Sequence, residues 1–123
     1  MVKLLKDKKI TIYKAVRVEK DKEGFGTKRW QAIHPGTLWA YARQLSAREF
    51  FEAAAQQFQE ERLFVVNWRR DIASGMIVRY LGNWYEIVRV DPLEDYKGDI
   101  KLYVKEALGG NRPKDDEILP YGP

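Results

Sequence analysis

At 123 residues, with 45% apolar and 33% charged side chains, the chain has the composition of one folded domain, too short for two comfortable cores and too apolar for global disorder. No apolar run approaches the ~20 residues that span a bilayer, the N-terminus MVKLLKDKK lacks the apolar stretch of a secretory signal, and zero cysteines exclude a disulfide framework, a thiolate metal site and a cysteine nucleophile. Cytosolic synthesis is the simplest expectation. The formal net charge of +4 is uneven: residues 1–30 hold ten Lys/Arg against four Asp/Glu, which leaves the rest at −2. Such a segment suits phosphate backbones or an acidic surface; the plainer reading is solvated charge on an edge strand.

In chain order, Lys9 to Val18 (KITIYKAVRV) sets Ile10, Ile12, Val16 and Val18 on one side of a period-2 pattern, with Lys14 the interruption, and predicts a strand. Asp21 to Thr27 (DKEGFGT) reads as a hairpin connection. A second strand starts near Lys28 and runs through Trp30 and Ala32 to His34-Pro35-Gly36, where proline removes a ladder donor and predicts a bulge, a bend or an edge. Extended chain resumes at Thr37 and carries Leu38 to Leu45 into a helix start. Ser46 and Glu49 have capping-box spacing, and Leu45 and Phe50 are placed for a hydrophobic staple. From Ala47 strong helix formers follow, with Phe50, Ala54 and Phe58 at four-residue spacing and Phe51 and Ala55 beside them. A lone helix with such a face is expected to lie on the sheet, even to plug one end of a barrel.

Beyond the helix, Arg62 to Trp68 and Met76 to Leu81 predict two more strands. Gly82-Asn83, ahead of Trp84 to Val90, is a hairpin signal because both residues tolerate positive φ. Ile100, Leu102 and Val104 alternate with Lys101, Tyr103 and Lys105 as a half-buried strand. From Gly109 the run GGNRPKDDEILPYGP has three Pro, three Gly and five charges, and predicts a loosely held tail in which Ile118, Leu119 and Tyr121 are anchors for a neighbouring subunit. The fold class is mainly β: a small antiparallel β-barrel of about six strands over residues 1–108, one helix inserted over about residues 46–59, and a flexible tail over 109–123.

The inventory for chemistry is thin. His34 is the sole imidazole and sits beside a turn, Gly24-Phe25-Gly26 lacks the lysine and helix of a phosphate loop, and no serine lies in a nucleophile elbow. Glu60-Glu61 and Asp115-Asp116 read as helix-end solvation and tail charge. No catalytic, metal or cofactor site is expected, and the chain reads as a non-enzyme. Trp30, Trp39, Trp68 and Trp84 lie in or beside predicted strands, where packing weighs more than a stacking platform for single-stranded nucleic acid. Lys20, Lys22, Arg69 and Arg70 are candidates for phosphate contact.

The order of features resembles one family. A leading strand, a glycine-containing hairpin, Trp39-Ala40, Ser46-Ala47-Arg48-Glu49 opening an alanine-rich helix, Arg69-Arg70-Asp71-Ile72, Met76 and Gly82-Asn83-Trp84-Tyr85-Glu86-Ile87 are similar to the head-tail joining (head-closure or stopper) proteins of tailed bacteriophages and prophages. The likeness covers about residues 5–107 and departs at His34-Pro35-Gly36, where a continuous strand is expected, and in the proline-rich tail. It implies a structural virion protein at the head–tail junction, made in the host cytoplasm, whose ring binds portal or adaptor above and tail proteins below and extends or closes the DNA channel. Under that reading Arg48, Phe51, Gln57, Phe58, Ile118, Leu119 and Tyr121 are candidate protein-interface residues. Lys20, Lys22, Arg69 and Arg70 then face the channel, touching DNA weakly and without sequence preference. No cofactor and no membrane are implied. The alternatives are a small basic β-barrel that binds nucleic acid and a tail-terminator-type connector.

Overall fold

Period-2 runs of β-branched and aromatic residues become eight strands in the computed structural model, which describes residues 5–20, 26–56, 60–92, 98–109 and 112–122. They are β1 (Lys8–Lys20), β2 (Gly26–Ala32), β3 (Leu38–Gln44), β4 (Arg62–Asn67), β5 (Ile77–Tyr80), β6 (Asn83–Pro92), β7 (Asp99–Glu106) and β8 (Ile118–Leu119). One helix, α1 (Ala47–Ala55), joins β3 to β4. Six strands close an antiparallel barrel in the order β3-β4-β7-β6-β5-β1, β1 pairing back to β3, while β2 and β8 extend the sheet outside it. The expected mainly-β barrel with one inserted helix is therefore the fold. The helix follows the third strand because the run from 26 to 44 is two strands, not one broken strand. The glycine-containing connection expected before β2 lies largely outside the described residues.

Alternation sorts the side chains into an inner and an outer set. Ile10, Ile12, Ala40, Phe64, Val66, Val78, Tyr80, Ile87, Ile100, Leu102 and Val104 fill the barrel. Two smaller clusters form on its outside: Tyr13, Trp30, Ala32, Ile77 and Trp84 with Ala107, and Leu63, Val65 and Tyr103 with Tyr41 and Leu45 beside them. A barrel whose outer face carries two apolar clusters needs cover on both. The C-terminal segment supplies part of the cover on the first, since Ile118 joins it. The second faces the crevice beneath α1, whose lining includes Tyr103 and Ala53.

Between β5 and β6 the paired residues are Tyr80 and Asn83, so the two-residue turn is Leu81-Gly82, one position earlier than the Gly-Asn pair suggests. Its φ values are 50° and 78°, the primed-turn geometry that matches strand twist. Gly82 adopts this freely. Leu81 adopts it at a cost on the order of 1 kcal/mol, offset by the β5–β6 ladder that the turn closes, and its side chain is 79% exposed.

The His34-Pro35-Gly36 break has a physical explanation in β1, which serves β3 with residues 8–10 and β2 from residue 13 onward along one edge. Tyr13 faces Ala32 and Ile10 faces Leu38, so three steps along β1 oppose six along the other side, and three residues are looped out. A gap of this kind strands backbone donors. Here the Ile33 amide donates to the Ile12 carbonyl at 3.0 Å and the Ile12 amide donates to His34 Nε2 at 3.1 Å. Nε2 accepts, so the proton sits on Nδ1, 3.4 Å from the Pro35 carbonyl. His34, 2% exposed, is a replacement rung of the ladder rather than a turn residue in solvent.

A pH dependence follows. Burial lowers the His34 pKa from 6.5, the nearby Arg69 charge adding to it, while the hydrogen bond to Pro35 opposes. The unfolded chain therefore binds a proton before the folded chain does, so this contribution is full above pH 6.5 and is lost as pH falls below it. Thermal unfolding monitored by circular dichroism should show the melting temperature falling from pH 7 to pH 5. In His34→Gln, whose amide oxygen accepts from Ile12 without titrating, the slope should flatten. An equal slope in both proteins would remove His34 from the account, since the chain has no second histidine.

Candidate interaction surfaces

The helix is positioned by polar contacts and leaves its apolar side uncovered. Ser46 Oγ accepts from the Glu49 amide at 3.2 Å and Glu49 Oε1 accepts from the Ser46 amide at 3.0 Å, the reciprocal cap expected from the sequence. Arg43, at the end of β3, donates to both Glu49 oxygens, at 2.6 and 2.9 Å. This fork ties the first turn of α1 to the strand before it. The Arg43 hydrogen bonds hold the Glu49 carboxyl well below its usual range, at about 2.

Within α1 only Ala53 is buried. Phe50, Phe51, Ala54 and Ala55, the described part of the predicted apolar face, are exposed. Phe50 is 47% exposed and Phe51 68%, their rings edge-to-face at a 5.7 Å centroid separation. The expectation that this face lies on its own sheet or plugs the barrel is thus corrected. The barrel interior is already filled by Phe64 and its neighbours, while Arg62 at the start of β4 stacks over Tyr80 and Tyr85, 5.6 and 5.8 Å from their centroids. Arg48 is exposed and pairs along the helix with Glu52 at 2.9 Å. Gln57 and Phe58 lie outside the described residues.

Other exposed apolar groups collect at the same end. The Leu81-Gly82 turn follows Tyr80, over which Arg62 stacks, and a crevice there is lined by Gln44, Leu45, Glu61, Arg62, Tyr85 and Glu106. Leu108, two residues past β7, is also exposed. Sequence reasoning missed Leu81 and Leu108. For Leu81 the signal was present, a leucine where the turn chemistry calls for asparagine or glycine.

Beneath α1 lies a polar crevice of about 290 Å³ lined by Glu49, Glu52, Ala53, Gln56, Glu60, Arg89 and Tyr103. Glu60, expected to be solvated at a helix end, is 2% exposed. Arg89 donates to both its oxygens, at 3.0 and 3.2 Å, and the guanidinium stacks on Tyr103 at 3.9 Å. The Glu60 hydrogen bonds raise the Arg89 pKa, against the effect of burial.

The candidate channel residues separate. Arg69 donates to both Asp71 oxygens, at 2.9 and 2.7 Å, and to the Ile33 carbonyl at 3.0 Å, so it fastens the turn before β5 to the break after β2. Those hydrogen bonds raise Arg69 and lower Asp71 in pKa. Arg70 is exposed. Lys20 ends β1 and Lys22 lies outside the described residues. Lys14, Arg17 and Lys28 are exposed on the β1–β2 ribbon. Of the tryptophans, Trp30 and Trp84 are buried, Trp68 is half-buried, and Trp39 is exposed with Lys9 Nζ 5.3 Å from its ring.

The C-terminal candidates sit on their own chain. Ile118 and Leu119 pair in parallel with Trp30 and Gln31, both half-buried, while Gln31 Nε2 donates to the Gly122 carbonyl at 2.9 Å. The edge of β2 offers unpaired backbone groups and the Trp30 cluster offers apolar surface, which together outweigh the tail's polar composition. Tyr121 is exposed and lines a cleft with Lys14, Asp71 and Met76. Among the described residues no group of three or more His, Asp or Glu converges as a metal site.

A family model described as phage head completion protein matches residues 6–106. No curated protein matches the chain. Among solved structures, the solution structure of protein SF1141 from Shigella flexneri 2a is similar, with a TM-score of 0.68 at 19% identity over 85% of this chain and 94% of that one. A chain of the virion of a native gene transfer agent particle has a TM-score of 0.53 at 21% identity, over 81% of this chain and 93% of that one. These likenesses carry the barrel and its appendages; the family match carries identity. The chain belongs to the phage head completion protein family and is a structural protein that joins the virion head to the tail.

Proposed function

We propose that the chain works without catalysis as a ring subunit at the head–tail junction, binding portal or adaptor on one side and tail proteins on the other, and prolonging or closing the DNA channel. The observation that carries this reading is the outward apolar face of α1. An exposed phenylalanine pair on a helix whose base is fixed by a capping box and an arginine fork is a preformed contact that lacks only its partner. A closed ring needs two different flanks that meet head to tail. The α1 flank supplies one, with Arg48 and Phe51 at its exposed rim, and Gln57 and Phe58 are proposed to continue it. Arg70, Lys20 and Lys22 are the remaining candidates for weak contact with DNA, since Arg69 is committed to Asp71 and Ile33.

Phe51→Ala is the test. Removing a side chain that is 68% exposed should change stability by no more than about 0.5 kcal/mol and leave the melting temperature nearly unchanged. On size-exclusion chromatography with the cognate portal or adaptor, wild-type chain should co-elute with the ring while Phe51→Ala stays free. If the variant melts much lower and yet assembles normally, Phe51 belongs to the chain's own core and the proposed flank is wrong.

A further inference from the structure

The C-terminal segment rests on β2 through β8 and a 3-10 turn over Asp115–Glu117, with Pro113 buried before it. β8 holds β2 through two paired positions, Trp30 with Ile118 and Gln31 with Leu119, and the Gln31–Gly122 hydrogen bond follows. Ile118 is its anchor in the outer cluster of Tyr13, Trp30, Ile77 and Trp84. Ala107 joins that same cluster, its amide donating to the Trp84 carbonyl at 2.9 Å. The chain therefore leaves the cluster at Ala107 and returns to it at Ile118, eleven residues later. Eleven residues reach about 36 Å when extended, several times the width of one cluster. The connection runs from Leu108 through GG at 109 and 110 to Glu117, and its last three residues form the 3-10 turn beside β2.

We propose that this segment is an exchangeable arm: in the assembled ring, Ile118 and Leu119 of one copy pair with β2 of the next copy, in the groove where the structure shows the chain's own β8. The occupant is a second copy of this chain because the slot already fits this sequence, so exchange replaces each intrachain contact by the same contact between chains. An arm on a tether of this length competes with other copies at an effective concentration in the millimolar range. Neighbours held side by side exceed that, and dilute chains do not. Given and received in one direction around a ring, the arm makes a head-to-tail contact, on the opposite flank from α1. The role in a ring rests on the proposed function; the exchange itself is a property of the chain alone.

The absence of native cysteine makes the exchange readable. Full-length Gln31→Cys and Leu119→Cys chains, one carrying a mass tag, are mixed at equal amounts, oxidised mildly and resolved on a non-reducing gel. At about 1 mM total chain the 31–119 heterodimer should exceed each same-residue dimer about tenfold, and at micromolar concentration it should disappear. Random collision gives at most a twofold excess, and that result overturns the proposal. The Gln31→Cys/Leu119→Cys chain at micromolar concentration is the control: it should close on itself, and failure to do so removes the strand pairing on which the proposal stands. Wild-type chains provide a second readout. In a mixture of isotope-labelled and unlabelled protein at about 1 mM, filtered NOEs between Trp30 of one copy and Ile118 of another should appear, and their absence also overturns exchange. A failure of the ring reading would show instead in mixing with portal or adaptor, which neither experiment uses.

Discussion

Phe64→Ala should cost about 3–5 kcal/mol and lower the melting temperature by roughly 10–20 °C. Phe64 on β4 is fully buried inside the barrel, where its ring meets Tyr80 on β5 and Tyr85 on β6 edge-on, at centroid separations of 5.3 and 5.9 Å. These aromatics come from strands that are not neighbours of β4 in the sheet, so the ring spans the barrel bore. Truncation leaves a cavity that a closed sheet cannot collapse around, because inward movement of one strand strains the ladders on both of its sides. For 123 residues, total stability on the order of 6–18 kcal/mol makes the loss a large share of the whole. Phe64→Leu, which keeps most of the volume, should cost about half as much or less. Thermal and urea unfolding followed by tryptophan fluorescence would measure both. A Phe64→Ala loss below about 1 kcal/mol would mean that the bore is not packed as described. Set against Phe51→Ala, the pair separates fold from contact: the inner phenylalanine should govern melting and, under the proposed function, the outer one should govern assembly.

How far the sequence discloses this molecule depends on the range of the interaction involved. Strands and helix start rest on neighbours within a few residues, and Ile10-Ile12, Ile100-Leu102-Val104 and Ser46-Glu49 announced themselves. The turn lies at Leu81-Gly82, one residue earlier than propensity suggests, because the β5–β6 register pairs Tyr80 with Asn83, and register is set across strands rather than within the turn. The α1 face was legible as apolar, yet its direction was not: burial against another subunit and burial against the chain's own sheet write the same pattern. The rung made by His34 depends on β2 and β3 sharing one edge of β1, a fact absent from any local window. Arg69 looked like a free cation, although Asp71 two residues on was a visible partner. The tail's Pro and Gly content argued for looseness and hid the value of Ile118 and Leu119 to an open strand edge.

Glu60 and Arg89 form the wall of the crevice opposite α1, whose first turn is held by the Arg43–Glu49 fork. Glu60, two residues before β4, is fully enclosed while its partner guanidinium is partly open to solvent on one side and stacked on Tyr103 on the other. The next amide, of Glu61, donates to the Val104 carbonyl at 2.8 Å, so chain returning from the helix is pinned at once by one ion pair and one ladder bond. Arg89→Met should cost about 3 kcal/mol, mostly because it leaves a buried carboxylate without its donors. Partial exposure of Arg89 lets water take up some of that deficit, which keeps the value at the low end for a broken buried pair. Glu60→Leu combined with Arg89→Met removes charge and donor together and should recover most of the loss, since a buried pair is worth little against an apolar replacement of similar volume. Urea unfolding of the wild type, the two single variants and the double variant closes a cycle whose coupling should be about 2 kcal/mol. The same variants test the surface above. Arg89→Met should weaken binding to portal or adaptor beyond what its stability loss explains, because α1 loses the fixed floor from which Phe50 and Phe51 project, and the double variant should restore folding without restoring all of that binding. Additive single effects, with no recovery in the double variant, would show that Glu60 is solvated and that the helix takes its orientation from the Arg43–Glu49 fork alone.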